Sequence, residues 1–238
     1  MKIIFSPSKE MTFENPVCEE AKYSEKTKRI IEELKKLNSD ELKKLYKVSD
    51  KVLEEVEDFI ENFDKKESYR SIEMYSGLSF RTFDATSLTE DDRKYLENRL
   101  KILSAFYGPV SPERLIRPYR LDFNTKLKIN GESLKKFWKD EFNNSFEDGE
   151  EIINIASKEF SDLLDRDKFK IIDYEFFENK GGKLKSHSTI SKKARGLMLR
   201  FLCVNKVVDV EGTKKFNLDG FEYREDLSEE GKFVFVKE

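Results

Sequence analysis

Cationic side chains are concentrated in residues 180–208, a stretch that contains no aspartate or glutamate. Its cations are Lys180, Lys183, Lys185, Lys192, Lys193, Arg195, Arg200 and Lys206. The whole chain carries 45 basic and 48 acidic residues, so a segment without acids predicts a local positive patch that binds an anion. The alternative is that acids on neighbouring elements neutralise the patch.

A helix predicted over residues 191–205 strengthens the anion interpretation. It would put Lys192 and Lys193 in its first turn, where the peptide dipoles are already positive and lysines cost stability. A bound anion would restore that stability. Gly196 would leave the backbone open between Lys193 and Arg200 on one helix face.

Residues 102–121 form a second candidate. The sequence predicts a helix over 89–106 from the helical spacing of its apolar side chains Leu96, Leu100, Leu103 and Phe106. Gly108 and Pro109 would end this helix, and Ser111-Pro112 would begin a short second one. We therefore expect a helix–hairpin–helix-like element whose bend amides hold a phosphate, flanked by Arg114, Arg117 and Arg120. A buried helical corner with paired arginines is the alternative.

The third candidate is the loop Ser6-Pro7-Ser8-Lys9, which follows a predicted strand over Lys2–Phe5. Two hydroxyls and an ammonium group suit a phosphate or carboxylate, and open α/β sheets bind ligands where strands end. Asn154 and Ser157 end another predicted strand and would line the same crevice if the two strands are neighbours. Capping of the next helix by Ser157 is an equally good interpretation.

Other kinds of site find little support. His187 is the only histidine, so a histidine-cluster metal site is excluded and no metal or cofactor is expected. We expect His187 in a strand over 183–190. Cys18 and Cys203 are far apart in the sequence, which is typical of a reducing cytosol, and neither has a setting that predicts reactivity.

The elements that position these residues predict one domain. The first half is mostly helical, strands alternate with helices after residue 150, and no linker separates the halves. We expect one α/β or α+β domain over residues 1–238, with a mixed sheet surrounded by helices and no common superfold. The most apolar helix contains Arg200, so we expect a cytoplasmic protein without a membrane span.

Short motifs along the whole chain, in combination, resemble the YaaA peroxide-stress family. The motifs are Ser6-Pro7-Ser8-Lys9, Tyr75-Ser76-Gly77-Leu78, residues 103–108, Arg117-Pro118-Tyr119-Arg120-Leu121, Phe137-Trp138, residues 154–159 and residues 192–198. The resemblance implies a cytosolic bacterial protein that limits hydrogen peroxide damage, keeps free iron low and binds DNA through a helix-hairpin-helix and a positive cleft. It marks Lys9, Tyr107, Gly108, Arg117, Tyr119, Arg120, Asn154, Ser157, Lys193, Arg195 and Gly196. Glu10 and Val110-Ser111-Pro112 depart from the family pattern.

Two functions remain open. A DNA-binding stress protein would hold the phosphates of duplex DNA, without reading sequence, through the 108–120 hairpin and the positive patch. An enzyme acting on a small anionic substrate would instead bring Lys9, Arg120, Asn154, Lys193 and Arg195 into one pocket. A deep pocket favours the enzyme, and an open basic groove favours DNA. Direct destruction of peroxide is not expected from either cysteine.

Overall fold

Apolar runs that the sequence predicts as buried strands form the centre of an eight-stranded mixed sheet. The computed structural model describes all residues from Met1 to Glu238. The strands of the chain are β1 (Lys2–Phe5), β2 (Tyr69–Arg70), β3 (Leu100–Ser104), β4 (Gly108–Val110), β5 (Leu115–Ile116), β6 (Lys128–Ile129), β7 (Glu132–Ser133), β8 (Glu151–Asn154), β9 (Lys170–Asn179), β10 (Leu184–Lys185), β11 (Phe221–Tyr223) and β12 (Lys232–Lys237).

Five parallel strands make up the middle of this sheet, in the order β12-β9-β8-β1-β3. Antiparallel strands close both edges, β11 beside β12 and β4 beside β3. The side chains of Ile3, Ile4, Ile152 and Ile153 are fully buried. Strands covered on both faces need such continuous apolar runs, because neither face meets water.

Ten helices surround the sheet and share one hydrophobic core with it. They are α1 (Glu25–Lys35), α2 (Ser39–Tyr46), α3 (Asp50–Glu61), α4 (Ser71–Met74), α5 (Leu78–Phe83), α6 (Glu90–Arg99), α7 (Leu134–Asn143), α8 (Lys158–Ser161), α9 (Ser188–Val204) and α10 (Val210–Thr213). Short 3-10 turns cover Phe63–Lys65, Ala85–Ser87, Leu218–Gly220 and Glu225–Leu227. The core runs from Ile3 to Phe235, so the prediction of a single α/β domain is confirmed.

The path of the chain creates a crevice between β1 and β8. From β1 the sheet continues to β3 on one side, whereas from β8 it continues to β9 on the other side. Since the connections run in opposite directions, the carboxyl ends of β1 and β8 flank a topological switch point, where open α/β sheets bind ligands. The prediction that these strands are neighbours is confirmed by the register that pairs Ile4 with Asn154.

The prediction of a helix–hairpin–helix-like element is wrong. Helix α6 begins with a capping box between Thr89 and Asp92, but it ends at Arg99. Residues 100–104 and 108–110 then form the antiparallel hairpin of β3 and β4, and 115–116 form β5. The apolar run Leu100-Lys101-Ile102-Leu103 belongs to a strand with both faces buried, and a short apolar run of this kind also satisfies helical spacing.

The predicted strand over 183–190 is also mostly wrong. Only β10, Leu184–Lys185, is a strand, and helix α9 begins at Ser188 with His187 as its N-cap. Lys192 and Lys193 therefore lie in the second turn of α9, beyond the first turn where the dipole acts most strongly. The dipole argument for these two lysines fails, and the anion interpretation must rest on other contacts.

Candidate functional site

A cleft of about 540 Å³ opens at the switch point between β1 and β8. Five segments line it: the loop that follows β1, the start of α5, residues 119–122, the turn that follows β8, and the first two turns of α9. Of the sequence-predicted site residues, the cleft brings together Ser6, Ser8, Lys9, Tyr119, Arg120, Ser157, Lys192 and Arg195.

Serine hydroxyls join the two strand ends at the base of the cleft. The backbone N–H of Ser157 donates to Ser6 Oγ over 2.7 Å, and Ser6 Oγ donates to Ser157 Oγ over 3.3 Å. Asn154 supports the same turn, because its Oδ1 accepts from the N–H of Ala156 over 3.0 Å. The amide of Asn154 donates to Asp173 over 2.6 Å, so Asn154 positions the turn and does not line the cleft.

A close approach between Ser8 and Gly77 fixes the loop that follows β1. A Cβ atom on Gly77 would lie 2.2 Å from Ser8 Oγ, so only glycine allows the loop to pack against the start of α5. The N–H of Glu10 donates to Ser8 Oγ over 3.0 Å and holds the loop closed. The carboxylate of Glu10 binds Arg81 over 2.7 Å.

Three cations that line the cleft, Arg120, Lys192 and Arg195, make no salt bridge within 4.0 Å and no side-chain hydrogen bond. The Nε atom of Arg195 is buried and has no hydrogen-bond partner. Burial lowers the pKa of the Arg195 guanidinium, because removing a charge from water disfavours the charged form. An anion in the cleft would supply both the missing acceptor and the missing counter-charge.

Besides Glu10, which binds Arg81, two carboxylates share the cleft with these cations. Lys9 forms an ion pair with Asp122. Burial raises the pKa of Asp122, but the charge and hydrogen bond of Lys9 and the hydrogen bonds from Thr125 together outweigh burial, so the pKa lies below its usual value. Burial and the neighbouring Asp122 raise the pKa of Glu159. Glu159 Oε1 accepts from the N–H of Phe123 over 2.9 Å. The cleft therefore offers acceptors as well as unpaired cations.

The remaining predicted residues of α9 lie outside the cleft. Lys193 Nζ binds Asp219 over 2.9 Å, and Arg200 Nη1 donates to the carbonyl of Asp84 over 3.1 Å. Gly196 packs against α5, since a Cβ atom there would lie 2.1 Å from the carbonyl oxygen of Ser79. Asp219 thus neutralises Lys193, as the alternative interpretation expects, but Lys192 and Arg195 remain unpaired.

The predicted residues of the hairpin are mostly structural. Tyr107 Oη donates to the carbonyl of Arg117 over 2.9 Å, and Gly108 lies against the ring of Trp138. Arg114 points at the carbonyls of Tyr107 and Pro109, and Arg117 lies 3.7 Å from Asp64. Only Tyr119 and Arg120 reach the cleft, because the chain passes the base of the cleft after β5.

Sequence reasoning missed Gly77, Asp122, Glu159, Ser188 and Thr189 as site residues. Gly77 and Glu159 lie inside motifs that carry the family resemblance, so a signal for both was present. Asp122 stands two residues after Arg120, but nothing in its spacing pairs it with Lys9. The predicted strand over 183–190 contains Ser188 and Thr189, but α9 begins at Ser188 and brings both residues to the cleft.

Fold and site together define a single-domain α/β protein with a cation-lined cleft at a topological switch point. The chain belongs to the family of the peroxide stress protein YaaA, whose model matches residues 1–227. It is 39% identical to a UPF0246 protein of Fusobacterium nucleatum over 247 residues, which cover 100% of this chain and 99% of the relative. UPF0246 proteins of Streptococcus gordonii and Streptococcus pneumoniae are 35% and 37% identical, over 100% of this chain and 98% and 100% of their own length.

Membership of this family supports a role in the response to peroxide stress. None of the helices is long and apolar enough to pass through a lipid bilayer. No group of three or more histidine, cysteine, aspartate or glutamate side chains is arranged to hold a metal ion.

Proposed function

We propose that the protein serves in peroxide stress by binding, and as an enzyme converting, a small phosphate- or carboxylate-bearing molecule in the cleft. The observation that carries this proposal is Arg195, a cation that lines the cleft without a salt bridge and whose Nε is buried without a hydrogen-bond partner. A buried donor of this kind costs the folded chain free energy until an acceptor reaches it. A phosphate or carboxylate oxygen is the acceptor that a guanidinium binds best.

The size of the cleft supports a small molecule as the ligand. Pockets for organic ligands have volumes of roughly 300–1,000 Å³, and this cleft has about 540 Å³. Of its 23 lining residues 8 are hydrophobic, so the lining is mostly polar or charged with an apolar part. Such a lining suits a ligand that carries both an anionic group and an apolar or planar part.

The cleft also holds groups that could transfer protons. Glu159 has a pKa above its usual value, which brings it closer to the range in which a carboxyl group both accepts and releases a proton. Lys9 and Asp122 form an ion pair beside it. These three side chains are the candidates for acid–base chemistry on a bound anion, and the cations would orient that anion.

Isothermal titration calorimetry with inorganic phosphate and with pyrophosphate tests the proposal. We expect saturable binding that the variant Arg195→Gln abolishes and that Lys193→Gln preserves, because Lys193 is bound to Asp219 outside the cleft. Absence of binding to the wild-type protein, or equal loss in both variants, would reject the cleft as the anion site.

DNA binding is a second candidate, and an exposed basic arm favours it. Residues 180–189, which contain β10, are exposed, and Lys183, Lys185 and His187 in this arm make no salt bridge. The arm leads directly into Ser188 and Thr189 at the cleft. Phosphates of a duplex could follow these cations without base contacts.

Salt dependence separates this candidate from binding in the cleft. Affinity for duplex DNA would fall steeply between 50 and 200 mM salt, since released counterions drive such binding. The double variant Lys183→Gln/Lys185→Gln should weaken DNA binding without changing phosphate binding. DNA affinity that is insensitive to salt, or to this double variant, would contradict the arm as the contact.

We also propose that the protein lowers unincorporated iron in stressed cells, as the family resemblance implies. A strain in which Arg195→Gln replaces the wild-type protein connects this effect to the cleft. Chelatable iron, measured by electron paramagnetic resonance after peroxide exposure, should rise in that strain and stay low with Lys193→Gln. Equal levels of chelatable iron in the Arg195→Gln and Lys193→Gln strains would show that the cleft does not control iron.

A further inference from the structure

Charges are distributed unevenly over the wall of the cleft. Lys192 and Arg195 come from α9 and have no acidic partner, and the hydroxyl residues Ser188 and Thr189 precede them on the same helix. The carboxylates Asp122 and Glu159 come from other segments of the chain. A ligand that carried only negative charge would use the α9 wall and would be repelled by the two carboxylates.

The carboxylates instead suit hydrogen-bond donors on the ligand. Asp122 Oδ1 is occupied by the N–H groups of Asn124 and Thr125 and by the Thr125 hydroxyl, and its Oδ2 binds Lys9. Glu159 uses Oε1 for the N–H of Phe123 and makes no salt bridge, although it is half-buried. Glu159 is thus the acceptor in the cleft that carries a charge without a cation bound to it. Vicinal hydroxyls of a sugar are typical partners of such a carboxylate.

Aromatic side chains complete the set of contacts. Phe5, Phe80 and Phe160 line the same cleft, and Phe5 packs edge-on against Phe80 with ring centroids 5.1 Å apart. Only 1%, 4% and 6% of these three side chains is exposed, so they give the cleft small apolar edges against which a partly apolar ring of the ligand would rest. The cations on one wall of the cleft match a phosphate. The carboxylate acceptor matches a hydroxylated sugar, and the aromatic rings match a base.

We infer that the anion bound in the cleft is a mononucleotide unit, an inference that rests on the proposed function. Its phosphate lies against Arg195 and Lys192, and its sugar hydroxyls donate to Glu159. The same chemistry is present in a free nucleotide and in the 5′-phosphorylated end of a nucleic-acid strand. Displacement of bound nucleotide by a 5′-phosphorylated oligonucleotide, but not by its unphosphorylated form, would assign the strand end as the source. Failure of both to displace it would assign the free nucleotide.

Calorimetry with AMP, 2′,3′-dideoxy-AMP and inorganic phosphate tests this inference. We expect AMP to bind at least tenfold more tightly than phosphate, and removal of both sugar hydroxyls to cost about tenfold. The variant Glu159→Gln, which keeps an acceptor for the Phe123 N–H, should weaken AMP binding about tenfold and leave phosphate binding unchanged or slightly tighter. The dideoxy comparison uses wild-type protein, so it stands even if the variant does not fold.

The outcomes separate this inference from the proposed function. Equal affinities for phosphate and AMP would overturn the inference of a mononucleotide ligand but leave the anion site in place. Equal affinities for AMP and its dideoxy form would have the same meaning. Equal weakening of phosphate and AMP by Glu159→Gln would do the same. Absence of binding to every anion would instead overturn the proposed function.

Discussion

The backbone N–H of Ser157 donates to Ser6 Oγ over 2.7 Å and thereby links the carboxyl ends of β8 and β1. These are the strands that flank the switch point, and both serines line the cleft. This hydrogen bond, with the bond from the Ile155 N–H to the Ile4 carbonyl, holds together two segments that must contact the same ligand.

Replacement of Ser6 by alanine should loosen this junction. The N–H of Ser157 would lose its acceptor, which costs about 1–3 kcal/mol in the free energy of unfolding. Ser157→Ala is the matched control, because it keeps that N–H and removes only the 3.3 Å contact between the hydroxyls. Urea unfolding measures both variants, and equal destabilisation by the two would contradict the assigned role of Ser6.

Gly77→Ala should disturb the cleft through Ser8. The new methyl group would lie 2.2 Å from Ser8 Oγ, so either the Ser8 hydroxyl must rotate away from the Glu10 N–H or the loop after β1 must move away from α5. We expect a loss of stability of about 1–3 kcal/mol, typical of overpacking, together with weaker phosphate binding.

The second change Ser8→Ala tests this cause directly. It removes the clashing oxygen and leaves only Ser8 Cβ at 3.1 Å, so the double variant should recover part of the melting temperature that Gly77→Ala loses. A double variant that is no more stable than Gly77→Ala would show that the steric explanation is wrong.

Asp92 should contribute stability that depends on pH. Burial raises its pKa, but hydrogen bonds from Lys206 and Thr89 outweigh burial and hold the pKa at about 2. The pKa is thus lower in the folded chain than its ordinary value of 3.8. Its contribution is complete above pH 3.8 and disappears as the pH falls towards 2.

Asp92→Asn should therefore lower the free energy of unfolding by about 2 kcal/mol near neutral pH and by progressively less below pH 3.8. Urea unfolding at several pH values measures the difference, and Asp148→Asn on an exposed turn serves as the control. A difference between wild type and Asp92→Asn that stayed constant down to pH 2 would contradict the assignment.

The two cysteines should differ sharply in reactivity. Burial raises the pKa of Cys203 to about 12, so its thiolate is scarce, whereas Cys18 is exposed. Iodoacetamide should modify Cys18 alone in the native protein, and the purified protein should not consume hydrogen peroxide. Modification of Cys203 in mass spectra of native protein, or peroxide turnover lost in Cys203→Ser, would contradict this expectation.

The sequence predicts the strands of the central sheet well because their signals are local. Lys2–Phe5 has the predicted bounds, and the run of Ile152, Ile153 and Ile155 predicts a strand over 151–156, of which residues 151–154 form β8. The hairpin at 100–110 was mistaken for a helix, because a buried strand and a buried helix segment share the same apolar composition over a short window. Only pairing with β1, 95 or more residues away in the chain, decides between them.

The cleft was predictable where its residues lie on one short loop, as with Ser6, Ser8 and Lys9. Which cations of α9 reach it was not predictable, because that depends on the start and rotation of the helix. Lys193 meets Asp219 and Lys192 does not, although the two are adjacent in sequence. Partners such as Asp122 and Lys9 come from distant segments, and spacing alone could not pair them among 48 acids.

The central claim is that Arg195 binds the anion, and the NMR signal of its Nε–H group reports this contact directly. Arg117 is the internal control, because its Nε is also buried without a partner but it lies beside Asp64, away from the cleft. During titration with inorganic phosphate, we expect the Arg195 Nε–H resonance to shift with saturation while that of Arg117 stays in place. An unchanged Arg195 resonance at phosphate saturation would contradict the account.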